Sequence, residues 1–387
     1  MQNFTFHNPT RIIFGSGQMA RVGEEVKKFG GKALFVYGMG SIKKNGIYEK
    51  VLASLKEAGI EAVEYAGVKS NPVLSHVRGG VEVAKRENVE VILAVGGGSV
   101  IDSAKAIAAG AKVDHDVWDF FTFAKPVKDV LPIVTVVTVS ASASEMNGGA
   151  VLTKEDSYFK FGISASALYP RVSILDPTAL FSLNARYTAY STVDILAHMW
   201  EGYFNGAEKE PILQDRLVEA LSRTIMESTE VALKEPENYQ ARANIMWGSV
   251  LAFNGLTTAG VGRAPYPAHM IEHSLSALYD MAHGAGLAIV LPAWMAYTLE
   301  EKRARFARLG RELFGLSGDD ASVAKKAVQA VREWFSKIGC PVTLKEAGIS
   351  ESEIKKIAEN AVHLAELWRM KDYTVEVIAG ILKGAVC

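Results

Sequence analysis

Short runs of aliphatic and β-branched residues alternate with amphipathic stretches through the first 180 residues. KALFVY (32–37), EAVEY (around 62–65), VEVILAV (89–95), LPIVTVVTV (131–139) and RVSILD (171–176) read as strands. YEKVLASLKEAG (48–59) and VRGGVEVAKREN (77–88) carry apolar residues at helical spacing. Strands separated by helices of this length predict βαβ units and a mostly parallel sheet. VEVILAV shows little polar alternation, as expected of a strand covered on both faces. After residue 180 the strand pattern stops. DRLVEALSRTIMESTEVAL, ENYQARANIMWGSVLAF, EEKRARFARLGRELF, DDASVAKKAVQAVREWFSKIG and ESEIKKIAENAVHLAELW all repeat at the helical period. The expected organisation is therefore an α/β domain over 1–180 followed by an all-helical domain over 181–387.

Length agrees, because single cores stop growing at about 250–300 residues and this chain has 387. Net charge is −1 with 22% charged residues, so no basic excess points to nucleic acid and no basic amphipathic stretch to a membrane surface. The longest apolar runs, such as GAGLAIVLPAWMAY, fall short of the roughly 18 residues of a membrane span. The opening MQNFTFHNPTRIIFGSG lacks the layout of a signal peptide, and two cysteines make no disulfide framework. The expectation is a cytoplasmic protein.

Candidate chemistry in the first half sits in glycine turns. VILAVGGGSVIDSAKAIA runs a buried strand into Gly96-Gly97-Gly98-Ser99 and then a helix. Glycines admit close approach of a ligand, and the new helix offers unpaired N–H groups to an anion. Ser99 is placed to cap that helix, so a plain strand-to-helix turn is the bland alternative to a phosphate cradle. A second glycine turn, YGMGSIKKNG (37–46), and a hydroxyl-rich stretch, TVSASASEMN (138–147), follow other strands. In doubly wound sheets all three would lie beyond the carboxyl ends of the strands, where ligands bind. No Asp or Glu follows the 32–37 strand; Gly38-Met39-Gly40-Ser41 stand there, with Lys43 and Lys44 behind. A carboxylate there would repel a 2′-phosphate, so its absence favours NADP, with NAD as the alternative.

In the second half, Asp194 and His198 stand four apart in STVDILAHMWEGYF, and His269 and His273 repeat that spacing. Positions i and i+4 share a helix face. His283 follows in AHGAG. Asp194, His198, His269 and His283 make an oxygen-and-nitrogen ligand set suited to Zn, Fe or a related divalent ion, against the alternative of packed core histidines. Phe253, Trp247, Leu256, Tyr266 and Met270 are candidates for an apolar cleft wall or for helix packing.

These pieces together (GGGSVIDSAK, the hydroxyl run ending at Glu145, VDILAH, and H-x-x-x-H followed ten residues later by H-G) resemble the iron-containing (group III) alcohol dehydrogenases over essentially the whole chain. Within that family the YGxGSxKKxG turn looks most like the butanol dehydrogenase and broad aldehyde reductase branch. The resemblance implies a dinucleotide-binding α/β domain, a helical metal domain and an active site in the cleft between them. It implies Fe(II) or Zn(II) on Asp194, His198, His269 and His283. His273 would lie near nicotinamide and substrate without ligating the metal, as a proton relay. Cofactor positions fall on Gly38, Ser41, Gly97, Gly98, Ser99, Asp102, Thr138, Ser142 and Lys160. The expected reaction is hydride transfer between NADP(H) and short-chain alcohols or aldehydes such as butanol and butyraldehyde, by a homodimer whose strand near FTFHNPTRIIF could join a partner's sheet. Many relatives read T-x-P-A-T-G-S-E, where Ser140, Ser142 and Ala143 here replace Pro, Thr and Gly.

Two rival readings remain at this stage. A metal-dependent lyase or sugar-phosphate enzyme of the dehydroquinate synthase type would need several Lys and Arg around the metal, and Arg263 is the nearest candidate. A non-catalytic nucleotide-binding protein would use the histidines structurally.

Overall fold

A computed structural model describes residues 1–386. It divides into two compact units, one formed by His7–Leu183 with Pro236–Val250, the other by Met1–Phe6, Asn184–Glu235 and Leu251 onward.

The first unit is built on a six-stranded sheet of β1 (Arg11–Phe14), β2 (Lys32–Gly38), β3 (Glu61–Val68), β4 (Val91–Gly96), β5 (Ile133–Val137) and β8 (Val172–Leu175). All neighbours are parallel, in the order β1-β8-β5-β4-β2-β3. Helices α1 (Val22–Lys27), α2 (Ser41–Lys44), α3 (Ile47–Glu57), α4 (Leu74–Arg86), α5 (Gly98–Gly110) and α6 (Trp118–Phe121) connect them. Every residue of β4 is buried, which explains its unbroken apolar run. Phe35, Tyr37, Leu93, Val95, Val134 and Ile174 form the centre of the core on one side of the sheet.

Strand order fixes where a ligand would lie. β3 pairs with one edge of β2 and β4 with the other, so the chain reverses its direction of winding at β2 and β4. The glycine turns after these two strands therefore leave the sheet side by side at its switch point, where open α/β sheets bind ligands.

An antiparallel hairpin, β6 (Gly149–Lys154) with β7 (Phe159–Ser164), has no counterpart in the sequence reading. It is anchored by a bridge from Thr153 to Val73 rather than by the main sheet. The expected first strand is present. It pairs with β8 inside its own sheet, Arg11 opposite Val172, and stands at the sheet's edge.

The second unit is helical: α7 (Ala185–Asn205), α8 (Ile212–Lys234), the end of α9 (Tyr239–Phe253), α10 (Pro267–Tyr279), α11 (His283–Tyr297), α12 (Leu299–Phe314), α13 (Asp320–Lys337), α14 (Ile354–Leu367) and α15 (Val375–Lys383). Asn184 starts α7 by accepting from the Tyr187 N–H. Two segments stand outside the division expected at residue 180. The start of α9 belongs with the sheet because Arg242, fully buried, donates to the carbonyls of Pro236 and Leu183, and Trp247 packs edge-on against Phe14. The first six residues belong with the helices: the Met1 ammonium pairs with Glu208, and the Gln2 N–H bonds the Gly260 carbonyl.

Candidate active site

Helices α7, α10 and α11 bring the predicted ligands together. Asp194 and His198 share one face of α7, which is buried along almost its whole length. His269 comes from the first turn of α10, and His283 is the first residue of α11. Asp194 Oδ1 lies 3.3 Å from His198 Nδ1, 3.6 Å from His269 Nε2 and 3.5 Å from His283 Nε2. The edge of a tetrahedron whose corners stand about 2.1 Å from its centre is about 3.4 Å, so these spacings fit one cation with nitrogen and oxygen ligands. Asp194 Oδ1, His198 Nδ1 and His269 Nε2 are buried and make no hydrogen bond. Buried polar atoms are rarely left so, and a shared cation accounts for all three.

Electrostatics agree. Burial would raise the Asp194 pKa, yet the histidines around it hold the carboxyl well below the usual range. Burial pushes His198 down to about 3, keeping its ring neutral and able to ligate. Burial also works against charge on His269, but Glu201 and Asp194 outweigh it and raise the ring to about 9.

Glu201 and Glu272, which the sequence reading passed over, stand behind two of the ligands. Both are fully buried. His269 Nδ1 donates to Glu201, and His283 Nδ1 donates to Glu272. Since a carboxylate only accepts, each Nδ1 carries the proton and each Nε2 points toward Asp194. The two glycines of HGAG make this packing possible. A Cβ on Gly284 would come 1.9 Å from the Tyr190 carbonyl oxygen, and one on Gly286 would come 2.6 Å from Glu272 Oε1.

His273 is buried on α10, its ring 5.6 Å from that of His283 and 5.7 Å from Trp368. Asp194, His198 and His269 form one group of mutually close donors, and Glu272, His273 and His283 form a second; His283 Nε2 joins the first through Asp194 Oδ1 at 3.5 Å. Phe253 stacks on His198 at 4.1 Å, and Tyr266 meets both Phe253 and His269 edge-on. These two match the expected apolar wall. Trp247 does not: it is six residues from Phe253 on α9, about 240° around the helix, and packs with the sheet unit. Met270 is fully buried in α10 packing. Trp368, unmarked by any motif, adds a third aromatic ring. Arg263, the nearest candidate cation for the lyase reading, donates to the carbonyls of Trp368 and Arg369.

In the sheet unit, the cofactor candidates gather on the loops after β2, β4 and β5 and on the hairpin. Gly97 is extended and α5 begins at Gly98. Ser99 is therefore inside the helix rather than capping it, and its hydroxyl donates to the Ser70 carbonyl. A Cβ on Gly97 would stand 2.8 Å from Val139, and one on Gly98 would stand 2.3 Å from Ser142 Oγ. The turn is thus glycine because the hydroxyl-rich loop crosses it. The Thr138 N–H ties that loop to the Gly96 carbonyl at 3.0 Å. Asp102 is not turned outward: it accepts from the Ser144 hydroxyl (2.6 Å) and the Val151 N–H (3.1 Å), pinning both loop and hairpin to α5. Lys160, on β7, donates to Asn71 Oδ1 at 3.1 Å. Ala143 takes the left-handed conformation, φ +50°, that its glycine counterpart would adopt freely.

At the 38–46 turn, Gly40 and Gly46 have φ of +111° and +76°, which only glycine adopts readily. Ser41 opens α2 and is exposed. The Lys43 ammonium lies over the Tyr48 and Tyr37 rings, 4.4 and 5.2 Å from their centroids, and 3.9 Å from Glu64. Both Glu64 oxygens accept from these tyrosines, 2.7 Å from Tyr37 and 2.6 Å from Tyr48.

A doubly wound sheet with a glycine turn at its switch point, in a chain that also carries a buried Asp–His cluster on helices, has the parts a metal-dependent dehydrogenase needs. The family described as iron-containing alcohol dehydrogenase matches residues 9–177, and its C-terminal counterpart matches residues 188–386. The chain belongs to the iron-containing alcohol dehydrogenase family. It is similar to the probable NADH-dependent butanol dehydrogenase 1 of Bacillus subtilis, 40% identical with both chains fully covered. It is also similar to the NADPH-dependent aldehyde reductase YqhD of Escherichia coli, 35% identical, again with both fully covered. Among solved structures, NADH-dependent butanol dehydrogenase A of Thermotoga maritima superposes with a TM-score of 0.96 at 48% identity, covering 100% of this chain and 99% of that one. The activity class is accordingly that of an NAD(P)-dependent alcohol dehydrogenase and aldehyde reductase, and neither rival reading is supported.

Proposed function

We propose that the chain interconverts short aliphatic aldehydes and alcohols, with butyraldehyde and butanol as representatives, preferring NADPH over NADH. Asp194, His198, His269 and His283 hold a divalent cation, Fe(II) or Zn(II). The observation carrying this reading is the convergence of three imidazole nitrogens on Asp194 Oδ1 at 3.3–3.6 Å, with Asp194 Oδ1, His198 Nδ1 and His269 Nε2 buried and without a hydrogen-bond partner. When bound, the cation polarises a carbonyl or favours an alkoxide, and the nicotinamide donates or accepts the hydride.

The residues do the rest. One carboxylate and three neutral imidazoles would leave a divalent ion and its direct ligands with a net charge of +1. A substrate oxygen would need a coordination position beyond the four that these residues would supply. Phe253, Tyr266 and Trp368 cover the imidazoles with apolar surface, which excludes water and suits an aliphatic chain. His273 relays the proton that balances carbonyl reduction, directly, through water or through the cofactor ribose.

On the cofactor side, Gly97, Gly98 and Ser99 receive the diphosphate at the start of α5, while Thr138, Ser142, Asp102 and Lys160 order the loops around it. Gly38 and Ser41 leave room for a 2′-phosphate. Glu64 is held by Tyr37 and Tyr48, and the Lys43 ammonium 3.9 Å away offsets its charge. The open edge of β1 supports a homodimer. No helix among the described residues is long and apolar enough to cross a membrane, which supports a cytoplasmic setting.

The experiment is oxidation of NADPH and NADH with butyraldehyde, before and after chelation and with Fe(II) or Zn(II) restored. Chelator-sensitive turnover favouring NADPH is expected. Turnover that persists after proven metal loss refutes the metal reading, and a preference for NADH refutes the cofactor reading alone.

A further inference from the structure

We propose that Glu201 and Glu272 are positioning residues of the metal centre: each fixes one ligating imidazole through its Nδ1–H, and their two buried charges retain the cation. The inference rests on the ligand set proposed above.

The two carboxylates act from different places. Glu201, on α7 one turn beyond His198, reaches across to α10. Its Oε1 accepts from the Ala268 N–H at 2.6 Å, and its Oε2 accepts from the His269 N–H at 3.1 Å and from the His269 ring. It therefore closes the N-terminus of α10, where Pro267 offers no N–H, and orients the ligand that helix begins with. Glu272 lies on α10 itself and orients His283 of α11. Its Oε1 accepts from the Ser276 hydroxyl at 2.5 Å, and that hydroxyl also reaches the Met281 carbonyl at 3.1 Å. The chain thus links α7 to α10 through Glu201 and α10 to α11 through Glu272. The three ligand-bearing helices are locked by the groups that aim the ligands.

Neither carboxylate has solvent to stabilise it. An ionised group so placed is costly without a compensating positive charge. A divalent ion on the far side of each imidazole supplies that charge through the ring. Removing such an outer carboxylate from a metal-bound histidine typically lowers metal affinity by about 10–100-fold.

Glutamine separates the two residues. At Glu201 both oxygens face N–H donors, so an amide NH₂ meets a donor in either orientation, and Glu201→Gln disturbs α10 as well as the ring. At Glu272 an amide fits: its oxygen accepts from His283 Nδ1–H while its NH₂ faces the Ser276 oxygen, which keeps Met281 as its acceptor. Glu272→Gln therefore removes charge with geometry retained, and is the decisive variant.

The full chain is loaded with Zn(II), and transfer of the ion to a chromogenic chelator is timed, alongside the melting temperature of the metal-free protein. Glu272→Gln is expected to release Zn(II) 10–100 times faster with an unchanged metal-free melting temperature. A release rate within twofold of the parent overturns the inference, whether or not melting changes, because packing alone then explains the residue. If Glu272→Gln does not fold, Ser276→Ala, which removes the hydroxyl donor to Glu272 Oε1, is expected to speed release severalfold, and no change overturns the inference. A parent chain that binds neither Zn(II) nor Fe(II) overturns the ligand set itself, a result distinct from unchanged release in a chain that loads normally.

Discussion

Gly284→Ala tests how closely the metal centre depends on helix packing. The added Cβ would stand 1.9 Å from the Tyr190 carbonyl oxygen and 2.6 Å from its carbon, both backbone atoms of α7 that no rotamer can move. Restoring ordinary contact near 3.4 Å requires α7 and α11 to part locally by about 1.5 Å. Gly284 adjoins His283, and Tyr190 lies one turn before Asp194. The same displacement would stretch the 3.5 Å separation of His283 Nε2 and Asp194 Oδ1 to about 5 Å. Two ligands at about 2.1 Å cannot span more than about 4.2 Å through one ion. The variant should lose most of its bound metal and about 3 kcal/mol of stability, at the upper end for overpacking. Metal content by mass spectrometry and the melting curve of the metal-free protein read both effects. Gly38→Ala, whose Cβ meets its nearest neighbour at 3.5 Å, serves as the tolerated control. A Gly284→Ala protein with full metal content and parental melting would refute the argument, since it would show that the helices yield without moving the ligands.

Ala143→Gly should stabilise the protein by up to about 1 kcal/mol, because alanine at φ +50° carries a left-handed penalty that exceeds glycine's extra unfolded-state entropy; a lower melting temperature would contradict this. Metal uptake by the metal-free chain should strengthen with pH. His269, raised to about 9, binds a proton at pH 7 that the cation must displace, so affinity should rise about tenfold per unit from pH 6 to 8. Calorimetry in buffers of differing ionisation enthalpy should find about one proton released, and a pH-independent affinity would exclude this. His273→Ala should cut turnover by about 10²-fold or more with metal content intact; loss of the metal would make His273 a ligand instead.

Strong local patterns were legible in the sequence. VILAVGGGS reads as a buried strand, a close turn and a helix start because each property belongs to consecutive residues, and β4 and α5 occupy those places. The hairpin β6–β7 was not legible: its strands are six residues each and are held by pairing to one another and to Val73 rather than by a long apolar run. The alternative in which Ser99 caps the helix fails because the cap falls two residues earlier, at Gly97, where the loop after β5 crosses. The wall residues show the same boundary. Phe253 and Tyr266 face the histidines, while Trp247 shares a helix with Phe253 but not its face.

By itself the sequence determined the class of each half and singled out the four candidate donors that the helices bring together. A period of 3.6 or 2 and an i, i+4 pair are properties of local backbone geometry, and Asp194 with His198 needs only a helix to share a face. Only the tertiary structure decided which carboxylates stand behind the rings. Glu201 and Glu272 look like any helix glutamates until α7, α10 and α11 pack, and Trp368 reaches His273 from 95 residues further along the chain. Such contacts arise from burial of whole helix faces, which brings distant residues together wherever the packed surfaces fit, and no spacing along the chain records that.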